Sequence, residues 1–395
     1  MRKSLVLKLF DAFTIQRWND KIRPVELTEM DKHAHKMMIA FCLAKYEESH
    51  NKDINWHNII RGGIFELLRR VVLSDIKSPI FRKIKEKYHD TFLKLNEWVF
   101  NELEPCIDNA EVEDELKKYL LEENILDDLS RDILEAAHIY ASYWEFQIIK
   151  QATPDNTQIY SIERVMLNDI NNYLHLKGMQ MILSKMPISS FIDIVGQLRF
   201  QIRWSHTPRI PTTSVLGHSL MVACLNYFFS RELNACNVRL KNNFWNGLFH
   251  DLPEAVTRDI ISPVKGAVSE LPEIIGQLEE ELVKDEIFPY IEKEWQDEFT
   301  YYIKDEFKSK IINEDNIQFV SSDEINKNYN EAQFSPVDGE ITKCSDHLAA
   351  FVEAYKADES GIRTPQIEEG LHNLKQMYKG KKIAGLNIGA IYADF

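Results

Sequence analysis

An internal repeat sets the strongest limit on how this chain can fold. An Arg-Trp dipeptide occurs at residues 17–18 and again at residues 203–204, each time after an apolar stretch with helical spacing. Each dipeptide is followed by a histidine that leads a second apolar stretch, His35 in the first case and His218 in the second. Self-similarity of this kind is the signature of a duplicated structural unit.

Two further matches extend the repeat. Residues 63–79 match residues 247–263 at a constant offset of 184, and residues 137–145 can be laid on residues 345–353. Amphipathic helices can resemble one another by chance, but these landmarks recur in the same order. We therefore expect two copies of one helical unit, covering residues 1–184 and 185–395.

Apolar residues recur at helical spacing in most long segments, which predicts helices. Glycine and proline are sparse, at 14 and 13 residues, and alternating strand-like runs are rare. The expected fold class is therefore all-α, built as two tandem helical bundles. The clearest helical segments are residues 37–46, 59–72, 133–149, 220–229 and 347–355.

Three stretches have a different character. Residues 152–157 contain Thr, Pro, Asp and Asn, which favour a turn. Residues 313–340 are rich in Asn, Asp, Glu and Ser, so we expect a surface loop or a mobile insertion. Between residues 269 and 310, acidic and apolar residues alternate at helical spacing, which predicts an exposed pair of amphipathic helices.

Composition limits the partners of the chain. The formal net charge of −15 disfavours nonspecific binding to nucleic acid backbones. The five cysteines are scattered and lack Cys-x-x-Cys spacing, which indicates reduced thiols and no thiolate zinc site. No apolar run reaches about 18 residues, so we expect no membrane span. No signal peptide is expected either, and the predicted location is the cytoplasm.

Four polar residues of the second copy have the chemistry of a metal site. His250 and Asp251 close an apolar run, and Glu254 lies about one helical turn after Asp251. His218 lies early in an apolar stretch, and Asp346 opens another. Two imidazoles and two carboxylates suit a divalent Mn, Co, Fe, Zn or Ni ion better than Ca²⁺. A metal and a free carboxylate such as Glu254 can together activate water.

Each of these residues alone also has an ordinary structural explanation. His218 can be a hydrogen-bonded core histidine, and Asp346 or the His250-Asp251 pair can cap a helix. The repeat favours the metal site, because the first copy keeps the apolar skeleton and loses the pair. In that copy Glu66-Leu67 stands for His250-Asp251, Arg70 for Glu254 and His138 for Asp346.

The first copy is expected to be a structural or regulatory unit. Leucine cannot bind a cation, and an arginine beside a metal opposes it electrostatically. A three-ligand site of His35, Glu66 and His138 is the alternative for this copy.

The ligand pattern resembles the HD-domain superfamily of metal-dependent phosphohydrolases, and the second copy is most similar to the bacterial 5′-deoxynucleotidase branch. The resemblance covers residues 198–353. Two features depart from the branch: Leu216-Gly217 stands where it carries a small residue and Glu, and the stretch between Asp251 and Asp346 is longer. The matching residues are Arg203-Trp204, Ser214-Val215, His218-Ser219-Leu220, His250-Asp251, Glu254, Thr257, Asp259, Pro263-Val264-Lys265 and Asp346.

The resemblance implies a role for each site residue. The four ligands would hold one divalent cation, and Glu254 would orient or deprotonate the attacking water. Asp259 would hold the 3′-hydroxyl side of the sugar or help to fix the nucleophile. Arg203 would contact the phosphate, and Lys265 would be a further phosphate contact. Trp204 would pack against the sugar and exclude a 2′-hydroxyl, or would serve only as a core residue that joins two helices.

The activity implied by the resemblance is a 5′-nucleotidase that releases phosphate from (deoxy)nucleoside 5′-monophosphates. One alternative is a hydrolase of nucleoside polyphosphates, either a dNTP or an alarmone, although the motifs carry no dense Lys/Arg cluster for extra phosphates. Another alternative is a nucleotide- or metal-sensing module without catalysis. The expected partner is a nucleotide or another small phosphate ester, not a membrane or a nucleic acid, and a homodimer is left open.

Overall fold

Helices make up most of the chain, which confirms the prediction of an all-α fold. The computed structural model describes residues 1–74, 76–122, 125–153, 157–258, 260 and 268–395. The helices of the first half are α1 Lys3–Asp11, α2 Glu29–Ser49, α3 Trp56–Val72, α4 Ser78–Lys87, α5 His89–Leu103, α6 Ala110–Leu121, α7 Asp128–Ala152, α8 Thr157–Asn171 and α9 Lys177–Leu183. Those of the second half are α10 Pro187–Gln197, α11 Val215–Glu232, α12 Asn237–Phe249, α13 Glu254–Thr257, α14 Leu271–Leu282, α15 Gln296–Ile303, α16 Ser322–Glu324, α17 Gly339–Glu359, α18 Pro365–Tyr378 and α19 Ile388–Asp394.

The helix break predicted at residues 152–157 falls between the end of α7 and the start of α8. Residues 154–156, at the centre of that prediction, lie outside the described residues. The predicted amphipathic stretch at residues 269–310 contains α14 and α15, with short π and 3₁₀ turns between them.

One small hairpin departs from the all-helical expectation. Strands β1 Lys310–Asn313 and β2 Asn316–Phe319 pair in an antiparallel register. Their turn consists of Glu314 and Asp315, with φ angles of 48° and 60°. Two-residue hairpin turns need such positive φ values and commonly use Asn-Gly. The sequence signal is missing here because two acidic residues take that place.

The segment 313–340 also differs from the expected surface loop. After the hairpin it continues into α16, and Asp338 near its end is fully buried. Oδ2 of Asp338 lies 2.7 Å from Nε of Arg239 in α12, which is also fully buried. Because an uncompensated buried charge is very costly, this ion pair fixes the end of the segment to the core.

Two long helices, α2 and α11, form the centre of the molecule. Every residue of α11 from position 215 to position 230 is buried, and the same holds for α2 from position 29 to position 44. A helix that is covered on all sides must lie inside a protein. Each helix begins with a hydroxyl cap, Thr28 for α2 and Ser214 for α11. Such caps satisfy backbone amides that the helix itself leaves without partners.

The two halves share one hydrophobic core. Asp31 in the first turn of α2 accepts hydrogen bonds from both cap hydroxyls, that of Thr28 (2.8 Å) and that of Ser214. Further along α2, the ring of Phe41 packs on Trp245 and Phe249 of α12, with ring centroids 4.9 and 5.2 Å apart. Contacts of this kind join residues from both halves into one core cluster.

Local backbone features recur in the two halves. Residue 16 forms an antiparallel bridge with Thr28, and residue 202 forms one with Ser214. The tryptophan of each Arg-Trp dipeptide adopts a positive φ, 54° at Trp18 and 58° at Trp204. The bridge and the tryptophan with positive φ lie the same number of residues before the cap of the central helix in each half.

Within the described residues, no helix combines the length and the apolarity that crossing a membrane requires. None of the five cysteines is paired in a disulfide.

We predict that Gly217→Ala destabilises the protein. α11 passes so close to the first half at this point that an added Cβ would lie 2.6 Å from a ring carbon of Phe13 and 2.9 Å from Oδ1 of Asp31. Overpacking of a core costs about 1–3 kcal/mol. Chemical denaturation monitored by circular dichroism would measure the loss in the free energy of unfolding.

Gly276→Ala is the matched control, because it lies inside α14 with no atom within 4 Å of the added Cβ. Alanine is favoured over glycine inside a helix, so this variant should gain about 0.5–1 kcal/mol. Equal stability of the two variants would contradict the close approach of α11 to the first half.

Candidate metal centre

Three elements bring the predicted ligands to one place. α11 begins after its cap Ser214, and His218 follows in its first turn. α12 ends at residue 249, so His250 stands at its C-terminus and Asp251 in the turn that follows. Asp346 lies in the first half of α17, which packs beside α11.

The structure brings three of the four predicted ligands into one cluster, and the fourth, Asp251, lies beside its two histidines. Ligand atoms of His218, His250 and Asp346 all lie within 4.8 Å of one another. Nε2 of His218 is 2.9 Å from Oδ1 of Asp346. Oδ2 of Asp251 is 3.2 Å from Nε2 of His250 and 4.0 Å from Nε2 of His218. Side chains that are far apart in the sequence therefore share one small space.

Two atoms of this cluster lack a conventional partner. Nδ1 of His250 lies 2.8 Å from the carbonyl oxygen of Gly247 and donates to it, which directs Nε2 towards the cluster. Nε2 of His250 and Oδ2 of Asp251 are both buried and face each other at 3.2 Å, but neither makes a hydrogen bond of good geometry among the described residues. Leaving such groups unsatisfied is costly, and a shared cation would satisfy both.

The electrostatics of the cluster also suit a cation. Burial opposes protonation of His250, but Asp251 and Asp346 outweigh it and raise the pKa of His250 to about 9. Burial alone would raise the pKa of Asp251, yet His250, His218 and Arg203 hold it below its ordinary value. The pKa of Asp346 is likewise lowered, against burial, by its hydrogen bond with His218. Both carboxylates are therefore ionised at neutral pH, the state in which they bind metals.

The donor set fits a borderline divalent ion. Two imidazole nitrogens and two carboxylate oxygens are ligands that Mn²⁺, Fe²⁺, Co²⁺, Ni²⁺ and Zn²⁺ accept. Side chains from the start of α11, the end of α12 and the first half of α17 supply them, so the geometry is held by the fold and not by one flexible loop.

A buried glutamate, Glu353, organises the surroundings of the cluster. It accepts hydrogen bonds from the indole N–H of Trp204 (2.8 Å) and the hydroxyl of Thr213 (2.8 Å). Its carboxylate also lies 3.7 Å from Nδ1 of His218. Burial would raise the pKa of Glu353, but Arg203 and other charges hold it well below its usual range. Sequence reasoning missed this residue, although it closes the repeat at residues 345–353.

Arg203 and Trp204 lie at the edge of the cluster. Nη1 of Arg203 is 3.7 Å from Oδ2 of Asp251, and its Nε is 3.4 Å from Glu353. The ring of Trp204 is half-buried and packs on the apolar cluster around Ile367. Arg203 is therefore placed beside the ligands, whereas the contacts of Trp204 are with the surrounding helices.

Of the remaining predicted site residues, the structure describes Glu254 but not Asp259 or Lys265. Glu254 begins α13 one turn after Asp251 and is 7 % exposed. Asp259 and Lys265, predicted as catalytic and substrate contacts, lie outside the described residues. Glu306 follows α15 near enough to His250 for the two charges to interact, and burial raises the pKa of Glu306. No sequence signal points to Glu306, because only the tertiary fold brings it there.

The first half carries a different arrangement at the equivalent place. Lys32 is the fourth residue after the cap Thr28, as His218 is after Ser214. Its Nζ lies 2.6 Å from Nδ1 of His138, and His138 lies 2.8 Å from Oε1 of Glu66.

The alternative metal site in the first copy, made of His35, Glu66 and His138, is therefore wrong for His35. Nε2 of His35 lies 3.0 Å from the carbonyl oxygen of Ile192, and Nδ1 lies 3.3 Å from the Arg199 guanidinium. Matching His35 with His218 by residue type places the two copies out of register. The caps of the two helices align Lys32 with His218 instead. Within the described residues, the cluster with metal-ligand geometry is that of His218, His250 and Asp346.

A family model described as HD domain matches residues 195–375. The match contains the four predicted ligands together with Arg203 and Glu353. HD domains bind divalent metals and are in general metal-dependent phosphohydrolases, and residues 195–375 are similar to them. No curated protein and no solved structure matches the chain.

We predict that metal binding releases a proton from His250. With a pKa of about 9, this imidazole is protonated at neutral pH, and a cation that takes its Nε2 must displace the proton. The apparent affinity for Mn²⁺ should therefore rise with pH by up to about tenfold per unit and level off above about pH 9. Calorimetry in two buffers of different ionisation enthalpy would count the released protons.

His175→Gln is the control for this measurement, since His175 pairs with Asp132 in the first half (Nε2–Oδ2 2.9 Å). It should leave the affinity and its pH dependence unchanged, whereas Asp346→Asn should abolish binding. An affinity that stays constant between about pH 6 and pH 8 would rule out proton displacement.

Proposed function

We propose that the second half of the chain, residues 185–395 with the HD domain at its centre, is a divalent-metal-dependent phosphomonoesterase. Its proposed substrates are (deoxy)nucleoside 5′-monophosphates. The observation that carries this proposal is the convergence of two imidazoles and two carboxylates beside the Arg203 guanidinium. A bound divalent cation would neutralise phosphoryl charge and favour deprotonation of the attacking water.

Arg203 is the proposed phosphate contact. Glu353 holds the Nε side of its guanidinium, while Nη1 faces the ligand cluster near Asp251. A phosphoryl oxygen drawn to the cluster would meet this Nη1, and the interaction of a guanidinium with phosphate is strong and directional. Among the described residues, Arg203 is the one Lys or Arg that pairs with the cluster, which favours a single phosphate over a polyphosphate.

Glu254 and Glu306 are the proposed proton carriers. Glu254 follows the ligand Asp251 by one turn, so its carboxylate is positioned to orient or deprotonate the attacking water. Glu306 has a pKa raised by burial and interacts electrostatically with His250. A raised pKa increases the protonated fraction of a carboxyl group at a given pH, so we propose that Glu306 protonates the leaving oxygen of the sugar.

Trp204 is proposed as the wall beside the sugar. Its position follows from the hydrogen bond to Glu353, and the first half contains the same contact between Trp18 and Glu145 (3.0 Å). This contact is therefore structural in both halves. The fold already holds the Trp204 ring in place, and the same ring would exclude the 2′-hydroxyl of a ribose by steric clash.

The first half is proposed to be a second unit of the same design, covering residues 1–184, without metal chemistry. Support comes from the recurring bridges, the recurring positive φ at tryptophan and the matching caps of α2 and α11. Asp251, which would bind the metal, is replaced there by Leu67. Glu254, which would activate water, is replaced by Arg70.

We predict that Glu254→Gln lowers kcat for phosphate release from dAMP by about 10²–10⁴-fold, the usual contribution of a positioned acid or base. Metal content should be unchanged, because Glu254 is not among the proposed ligands. Phosphate release with Mn²⁺ or Co²⁺ and elemental analysis of the same samples would test both points.

Glu273→Gln is the matched control, an exposed carboxylate in the first turn of α14. It should retain full activity. If the wild-type protein releases no phosphate from any nucleoside monophosphate, the proposed activity is wrong. If Glu254→Gln keeps full activity, the role of Glu254 is wrong.

A further inference from the structure

The first half contains a cavity that the proposed activity does not use. Its volume is about 730 Å³, within the range of about 300–1,000 Å³ that is usual for small-molecule sites. Helices α3, α4, α7 and α8 contribute to its walls, and Glu66 and His138 line it. These two residues stand where the second half has His250 and Asp346, so the cavity lies over the counterpart of the metal centre.

Two buried lysines lie behind Glu66 and His138 and contribute positive charge beneath the cavity. The Lys32 ammonium contacts His138 (2.6 Å), and the Lys36 ammonium pairs with Glu66. Both lysines are fully buried. The Lys36 ammonium balances the Glu66 carboxylate here, and Lys32, whose pKa burial lowers to about 7, adds a partial positive charge at neutral pH. The second half instead collects carboxylates and imidazoles that suit an external cation. A phosphate in the cavity would therefore meet positive charge from the chain itself and would need no metal to neutralise it.

The walls continue this charge pattern. Among the described lining residues, five are Lys or Arg and four are Asp or Glu, although the whole chain has a net charge of −15. Three of the four acids already have partners: Glu66 pairs with Lys36, Asp169 with Arg82 (2.8 Å) and Glu135 with the Tyr173 hydroxyl (2.6 Å).

Arg69 is the cation most available to a ligand. Its guanidinium stacks on the rings of Phe81 and Tyr119, at 5.2 and 5.5 Å from their centroids. These two contacts hold its position on the wall. Within the described part of the chain, no carboxylate oxygen lies within 4.0 Å of it, unlike the neighbouring Arg70, which pairs with Glu29. Its hydrogen-bond donors are thus free for a phosphate.

We propose that this cavity is a metal-independent binding site for a small phosphate-bearing anion, which it binds without hydrolysing. Arg69 on the wall supplies the main complementary charge, and the buried side chains of Lys32 and Lys36, which lie behind the lining residues Glu66 and His138, add to it. Hydrolysis is not expected, because Leu67 and Arg70 replace the ligand and the carboxylate that activate water in the second half. The proposal does not depend on the activity of the second half.

The test is calorimetric binding of inorganic phosphate and of dAMP to the full-length protein in EDTA, which removes the contribution of any metal. At least one of them should bind. Arg69→Ala should weaken binding about tenfold or more, the effect of losing one charged hydrogen bond. Lys117→Ala is the matched control, since this exposed lysine also lies over a ring, that of Phe100 (5.6 Å), but does not line the cavity.

The second half serves as an internal control. Asp346→Asn should leave binding in EDTA within about twofold of wild type, whereas an anion bound at the second centre would bind more tightly once this carboxylate no longer repels it. Binding of phosphate and dAMP alike assigns recognition to the phosphate group, and binding of dAMP alone extends it to the nucleoside. Absence of binding by both anions at millimolar concentration, or unchanged binding in Arg69→Ala and in Arg69→Glu, would overturn the proposal.

Discussion

A buried carboxylate on a long helix determines the geometry of each half. Glu353 of α17 and Glu145 of α7 are 2 % and 0 % exposed, and each accepts a hydrogen bond from the indole N–H of an Arg-Trp dipeptide. The arginine of the same dipeptide pairs with the carboxylate at 3.4 Å in one half and 2.8 Å in the other. Removing one partner of a buried ion pair costs about 3–5 kcal/mol, so the dipeptide is fixed to the helix even though its tryptophan must adopt a positive φ. In the second half the same carboxylate lies beside His218, which links the frame directly to the metal centre.

The two halves solve one electrostatic problem in opposite ways. At the second centre, Asp251 and Asp346 concentrate negative charge, and His250 responds by holding a proton up to about pH 9. A divalent cation can replace that proton, so the site is prepared for a ligand from outside. At the first centre, Lys32 and Lys36 supply the positive charge from the chain itself. Burial lowers the pKa of Lys32 to about 7, despite the nearby carboxylates. The second centre is therefore suited to a cation from outside, whereas the first already carries the Lys36 ammonium and a partly charged Lys32.

The sequence was sufficient for the fold class, and it singled out side chains that the fold brings together at the second centre, because helical periodicity and ligand chemistry are local properties of the residues. It was not sufficient for the register of the first copy. Similarity of residue type aligned His35 with His218, whereas position on a helix is set by the cap, and Thr28 and Ser214 align Lys32 instead. Glu306 and the hairpin at residues 310–319 could not be predicted for a related reason. The first reaches the centre only through tertiary packing, and the second uses a turn of two acidic residues.

Packing alone does not require the polar cluster of the first half. Its apolar skeleton could accommodate leucine or methionine at the positions of Lys32 and Glu66, because replacing a buried ion cluster by apolar residues of similar volume is often neutral or stabilising by about 1–4 kcal/mol. In the second half such a cluster has a proposed chemical use, since its charges would hold a cation beside a phosphate. In the first half the charges lie beneath a cavity of about 730 Å³ whose wall carries an arginine with no acidic partner among the described residues. A buried group that the core does not need, placed under an opening that a small molecule can enter, is most simply explained by binding.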